Sequence, residues 1–102
     1  MNAVIDQRDK LQCANVRRVV FAAVAASHME LTTEQVATRA SVIADRVFKG
    51  NYHLDPSLVL KACVWLRERG AVRSRKVMRP KANKTCLLWT AAQGGGGNIT
   101  WT

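Results

Sequence analysis

The sequence predicts a mainly α-helical domain that closes with a small β-hairpin. Three observations lead there. Apolar residues recur at three- and four-residue intervals through the first two thirds of the chain. Helix start signals stand at Thr32 and at Asp55-Pro56, and Gly70 stands where a helix should stop. Beyond Gly70 the pattern changes to two strands, 71–78 and 85–90, with Pro80-Lys81-Ala82-Asn83 as the turn between them. At 102 residues and 48% hydrophobic content there is room for one domain with one core, expected over 1–92. Residues 93–102 hold four consecutive glycines and little to bury, so they read as a flexible tail.

The first helix is expected to begin at Asp6, an N-cap residue with a second acid, Asp9, three positions on. It should run to about Ser27. Val16, Val20, Ala23, Val24 and Ser27 share one face, and the alanines let another helix approach closely. Arg8, Lys10, Arg17 and Arg18 make the outer side basic. Arg17-Arg18 and the apolar run after it look like the core of an export signal. The run is short and follows two acids, so it reads as a buried helix. No run approaches the ~18 apolar residues of a membrane span, and no membrane partner is expected.

Thr32 and Gln35 resemble a capping box that starts a second helix at Thr33. Val36, Ala37, Ala40, Ile43, Ala44, Val47 and Phe48 keep the helical period. The helix either reaches Lys49 or breaks near Ser41 and restarts, and Gly50-Asn51 ends it in both cases. Asp55 as N-cap and Pro56 at the first helical position begin a third helix, 56–69, because Pro there loses no hydrogen bond it needs. Gly70 supplies its left-handed C-terminal residue. Val59, Ala62, Cys63 and Leu66 should fill the core. Leu58, Leu60, Val64 and Trp65 then lie on the other faces, as an interface. A helix apolar on every side is usually covered on every side, so either the 41–55 segment or a second subunit should pack there.

Charge narrows the partner. The net charge is +9 and the pI near 10.4. Residues 73–84 hold six cations, Arg73, Arg75, Lys76, Arg79, Lys81 and Lys84, and no acid. Clustering of this kind points to a polyanion, nucleic acid ahead of an acidic protein. The three cysteines, Cys13, Cys63 and Cys86, lie far apart among apolar residues and show no ligand spacing, so they read as buried free thiols in a reducing cytosol, with no metal. There is no Gly-rich phosphate loop after a strand and no credible nucleophile–base set with only His28 and His53. No catalytic residue and no cofactor is expected.

The order helix, short strand, helix, helix and basic hairpin resembles the winged helix-turn-helix superfamily over roughly 8–90. The run Leu31-Thr32-Thr33-Glu34-Gln35-Val36-Ala37-Thr38-Arg39-Ala40 looks like its strand and positioning helix, and Pro56 through Val72 like its recognition helix and entry to the wing. Val59, Leu66 and Val72 match the family's core spacing relative to Gly70. The resemblance implies three helices plus a C-terminal two-stranded wing, and double-stranded DNA as partner. Ser57 and Lys61 would face bases or phosphates, and Arg67, Arg69 and the six wing cations would track the backbone. Asn83 at the tip is either a base contact or an ordinary turn residue; Trp65 is either interface or a stacking platform. A second register, Gln35 to Val47 with Ser41 at the turn, also resembles a phage-repressor helix-turn-helix. The implied protein is a small cytoplasmic, nucleoid-associated homodimer that regulates transcription or assists it, of a bacterial or mobile-element kind. The alternative is a protein-interaction module that uses the apolar third helix.

Overall fold

A computed structural model describes residues 11–79 and 84–92. The elements are α1 (Cys13–Ala25), β1 (Leu31–Thr32), α2 (Thr33–Phe48), α3 (Pro56–Glu68), β2 (Val72–Arg79) and β3 (Lys84–Ala91). The three strands form one antiparallel sheet in the order β1-β3-β2. The architecture is therefore three helices plus a small three-stranded sheet. The short strand expected at Leu31-Thr32 is present, and it joins the hairpin as a third strand, beside β3. Leu31 pairs with Trp89 and Thr32 with Leu88. The turn expected at 80–83, with Lys81 and Asn83, and the tail at 93–102 lie outside the described residues.

α1 starts later than predicted. Gln12 is extended (φ −64°, ψ 149°), its side chain makes no cap bond, and its carbonyl accepts the first helical bond from the Val16 amide at 2.9 Å. The predicted cap, Asp6, is outside the described residues. The buried face of α1 is Val16, Val19, Val20, Ala23 and Val24. Ser27 lies past the helix end, where its hydroxyl donates to the Met29 carbonyl (2.8 Å) and accepts from the Met29 amide (3.1 Å).

The capping box of α2 is present as predicted. The Gln35 amide donates to Thr32 Oγ1 at 3.2 Å, and the Thr32 amide donates to Gln35 Oε1 at 2.9 Å. α2 then runs unbroken through Ser41, which overturns the helix-turn-helix register over 35–47. Ser41 stays helical because its hydroxyl donates to the Ala37 carbonyl at 2.8 Å, four residues back. The same oxygen accepts from the Leu54 amide at 2.9 Å, and Asp45 Oδ1 accepts from the Tyr52 amide at 2.6 Å. These two bonds fasten the long α2–α3 connection back onto α2. The helix stops at Lys49, which takes the left-handed conformation (φ 51°) in place of Gly50.

α3 is capped as its sequence predicts. Asp55 accepts from the Ser57 amide at 3.0 Å, with Pro56 in the first turn. At the other end Gly70 has φ 75°. Its amide donates to the Arg67 carbonyl (3.0 Å), and the Ala71 amide donates to the Leu66 carbonyl (2.9 Å). That pair of bonds is a Schellman motif, and it turns the chain from helix into β2.

The core lies between the helices and one face of the sheet. Trp89 is fully buried in it and is its largest side chain, and Val20, Val36, Val59, Leu66 and Val72 are buried in the same cluster. Side chains of this size contribute roughly 1.5–3 kcal/mol each on burial. The indole N–H of Trp89 donates to Thr33 Oγ1 at 2.9 Å, so its one polar atom is satisfied. Ala23, Ala37, Ala40, Ala44 and Ala62 are buried as well and let the helices pack closely. Among the described residues no helix is long and apolar enough to cross a membrane.

Candidate nucleic-acid interface

Helical spacing puts Ser57, Lys61, Val64 and Glu68 on one stripe of α3, opposite its core face. Two of these four suit a base or a phosphate poorly. Val64 is half-buried and apolar, and Glu68 is an exposed acid. Ser57 is exposed, but its hydroxyl donates to Asp55 Oδ1 at 2.8 Å within the cap. Lys61 remains the one cation of the stripe.

The four apolar residues assigned to an interface do not form one face. Leu58 and Trp65 lean towards α1 and line a cleft of about 150 Å³ with Cys13, Val16, Arg17, Lys61 and Ala62. Leu60 lies on the other flank, beside Thr33, Glu34 and the start of β3 in a cleft of about 370 Å³. Val64 is between them. α1 and the sheet thus flank α3 on the sides where Leu58, Trp65 and Leu60 lie, and the 41–55 segment does not cover them. Cys13 is exposed, which corrects the expectation of three buried thiols, because it precedes the first core position of α1 at Val16. Cys86 is half-buried. Cys63 is fully buried, and burial pushes its thiol up to about 12.

Two of the predicted DNA contacts are held by their own domain. Arg67 Nη1 donates to Ser74 Oγ at 2.7 Å, and its guanidinium lies 5.4 Å from the Trp89 ring centroid. It works as a strut between the end of α3 and β2. Arg69 sits 3.7 Å from the Trp65 ring centroid and donates to the Trp65 carbonyl at 3.3 Å. Arg17 lies over the same ring at 4.3 Å. Trp65 is therefore a cation–π partner at the α1–α3 seam.

The hairpin separates the basic cluster. In the β2–β3 ladder Ser74 faces Trp89 and Lys76 faces Leu87, on the side that covers the helices. Arg73 faces Thr90, Arg75 faces Leu88 and Val77 faces Cys86, on the opposite, outer side. Arg73, Arg75 and Lys76 are all exposed. Arg79 closes the described ladder opposite Lys84, which is exposed and also lines the cleft beside Leu60.

One member of the outer set is engaged. Arg75 makes a bidentate pair with Glu30, through Nε to Oε2 and through Nη2 to Oε1 at 2.7 Å. The hydrogen bond from Arg75 holds the Glu30 carboxyl below its ordinary range, and the same bond holds the Arg75 guanidinium above its own. Arg73, Lys76 and Lys84 make no ion pair among the described residues. Sequence reading missed Glu30 because its partner is 45 residues away, and missed Ser74 as the acceptor of Arg67. Strand alternation was the signal for the two faces. The pairing of Ser74 with Trp89 decides which of them is outer.

Comparison with family models, with curated proteins and with solved structures finds no match to this chain. Among the described residues no group of His, Cys, Asp or Glu could hold a metal ion. What the site offers is positive charge on a narrow ribbon.

Proposed function

We propose that this chain is a winged-helix domain that binds double-stranded DNA through its basic hairpin and acts, without chemistry of its own, as a transcriptional regulator or accessory factor. The observation that carries the reading is the hairpin itself. Six cations fall within residues 73–84, on or between two paired strands. β1 pairs only as far as Leu88, so the distal rungs form a two-stranded ribbon. The element order and the β1-β3-β2 sheet fit the winged-helix resemblance.

Binding of this kind is governed by counterion release, with log K falling against log salt by about 0.9 for each phosphate neutralised. With Arg75 engaged by Glu30, five hairpin cations are left, which gives a slope of about −4.5. The test is a titration of random duplex DNA across a salt series, with wild type and with Arg73, Arg75, Arg79 and Lys81 changed to Ala. Steep salt dependence that flattens in the variant supports the reading. Absence of wild-type binding at about 50 mM salt overturns it.

A further inference from the structure

The six-cation cluster reads as one patch in sequence, and the ladder makes it two unequal ones. Arg73 and Arg75 alternate onto the outer sheet face. Among the described hairpin residues Lys76 is the one cation whose rung covers the helices, opposite Leu87. Among the described residues the outer face carries half-buried Val77, Cys86 and Leu88 between its cations, and one acid, Glu30, latched to Arg75. The helix-side alternative consists of Lys76 with the α3 stripe, where Lys61 is offset by Glu68.

We infer that the hairpin meets DNA as a two-stranded ribbon laid in the major groove by its outer face, with α3 turned away from the bases and Glu30 holding Arg75 in reserve. The inference rests on the DNA-binding reading above and specifies its geometry. A B-form major groove about 12 Å wide admits a two-stranded ribbon whose strands lie roughly 4.8 Å apart. On such a face the cations reach phosphates and base edges. The apolar side chains between them suit the C5 methyl of thymine, the one apolar feature of the groove. Glu30 occupies the Nε–Nη2 edge of the Arg75 guanidinium and offsets its charge, so a phosphate must compete with a carboxylate for that edge before Arg75 contributes fully.

The geometry also chooses between duplexes. An A-form RNA helix has a deep, narrow major groove that cannot take a ribbon. A patch that only tracks charge would not distinguish the two.

The experiment compares two variants of equal charge. Arg73→Gln with Arg75→Gln alters the outer face; Lys61→Gln with Lys76→Gln alters the helix side. Each removes two positive charges, so the general field of the protein changes equally in both. Thermal melts confirm that each variant folds. Binding to duplex DNA is followed over a salt series, with duplex RNA of matched sequence as the second ligand. The outer pair should lower the salt slope by about 0.9, through loss of the Arg73 contact, and the helix-side pair by much less. Glu30→Gln should steepen the slope by about 0.9, as one further phosphate contact forms. Wild type should prefer DNA to RNA. A larger loss from the helix-side pair, equal losses from both, an unchanged Glu30→Gln, or equal affinity for duplex RNA each overturns the ribbon geometry while leaving the DNA-binding reading in place. Absence of binding by wild type removes that reading itself.

Discussion

Replacing Gly70 by Ala tests the junction that sets the direction of the hairpin. Gly70 has φ 75°, and a β-carbon there would meet no atom within 4 Å. Steric crowding by neighbours is therefore absent from the cost, and only the backbone term is left. Holding an L-residue in the left-handed region costs roughly 1–2 kcal/mol. Losing the freedom of glycine in the unfolded chain gives back about 0.4–1 kcal/mol. The net loss should be about 1 kcal/mol, or roughly 4–8 °C in Tm for a domain of this size. Gly70→Asn should cost less, because Asn visits this region more readily. Thermal and urea melts followed by circular dichroism measure both variants. If Ala matches wild type within about 0.3 kcal/mol, the scatter seen between independent sites, or if Asn costs more than Ala, then the left-handed Schellman turn is not what carries the chain from α3 into β2.

Three other outcomes follow from the same coordinates. Trp89→Phe should lose about 2 kcal/mol, within the usual range for a core change, and a double-mutant cycle with Thr33→Val should return a coupling of about 1 kcal/mol for the indole–hydroxyl bond. In native protein near pH 8, iodoacetamide should modify exposed Cys13 quickly and spare Cys63, whose thiol is buried and raised to about 12; peptide mass spectrometry across a urea series should show Cys63 becoming reactive only as the domain opens. Because Arg75 lowers the folded-state pKa of Glu30, the pair stabilises the fold above the ordinary carboxylate range and its contribution disappears as pH falls through the lowered folded value. Melts of wild type and Glu30→Gln should therefore differ near neutral pH and converge in acid, and convergence at all pH values would show that the pair adds nothing.

Much of the scaffold is legible in the sequence wherever one or two residues act locally. Asp55-Pro56, the Thr32–Gln35 box and Gly70 each fix a helix end by bonds within three residues or by a single backbone angle, and each lies where expected. The periodic apolar residues of α3 fill the core as expected. The misreadings involve longer distances. Ser41 looked like a possible break because serine competes for backbone bonds; its hydroxyl serves the Ala37 carbonyl and the Leu54 amide together, and the second partner is 13 residues away. The short strand at Leu31-Thr32 is expected from sequence, but its partners, Trp89 and Leu88, lie more than 50 residues on. The candidate site is legible in part: its charge is plain, but nothing in the sequence tells that Ser74 and Trp89 engage Arg67 or that Trp65 engages Arg69. Counting cations along a segment cannot say which face of a sheet they occupy, and that depends on register with a strand not yet placed.

Among the described residues the sheet order leaves β2 as an edge strand eight residues long. An edge of that length is a template for another copy of itself. Two such strands laid antiparallel along their full length would bring Arg75 of each chain opposite Lys76 of the other, with Arg73 and Arg79 near by. Mutual repulsion of these charges would oppose such a pairing at low ionic strength. Salt that screens them, or nucleic acid that neutralises them, lowers that barrier. Concentrated protein should therefore stay clear at low ionic strength and begin to self-associate through β2 as salt rises.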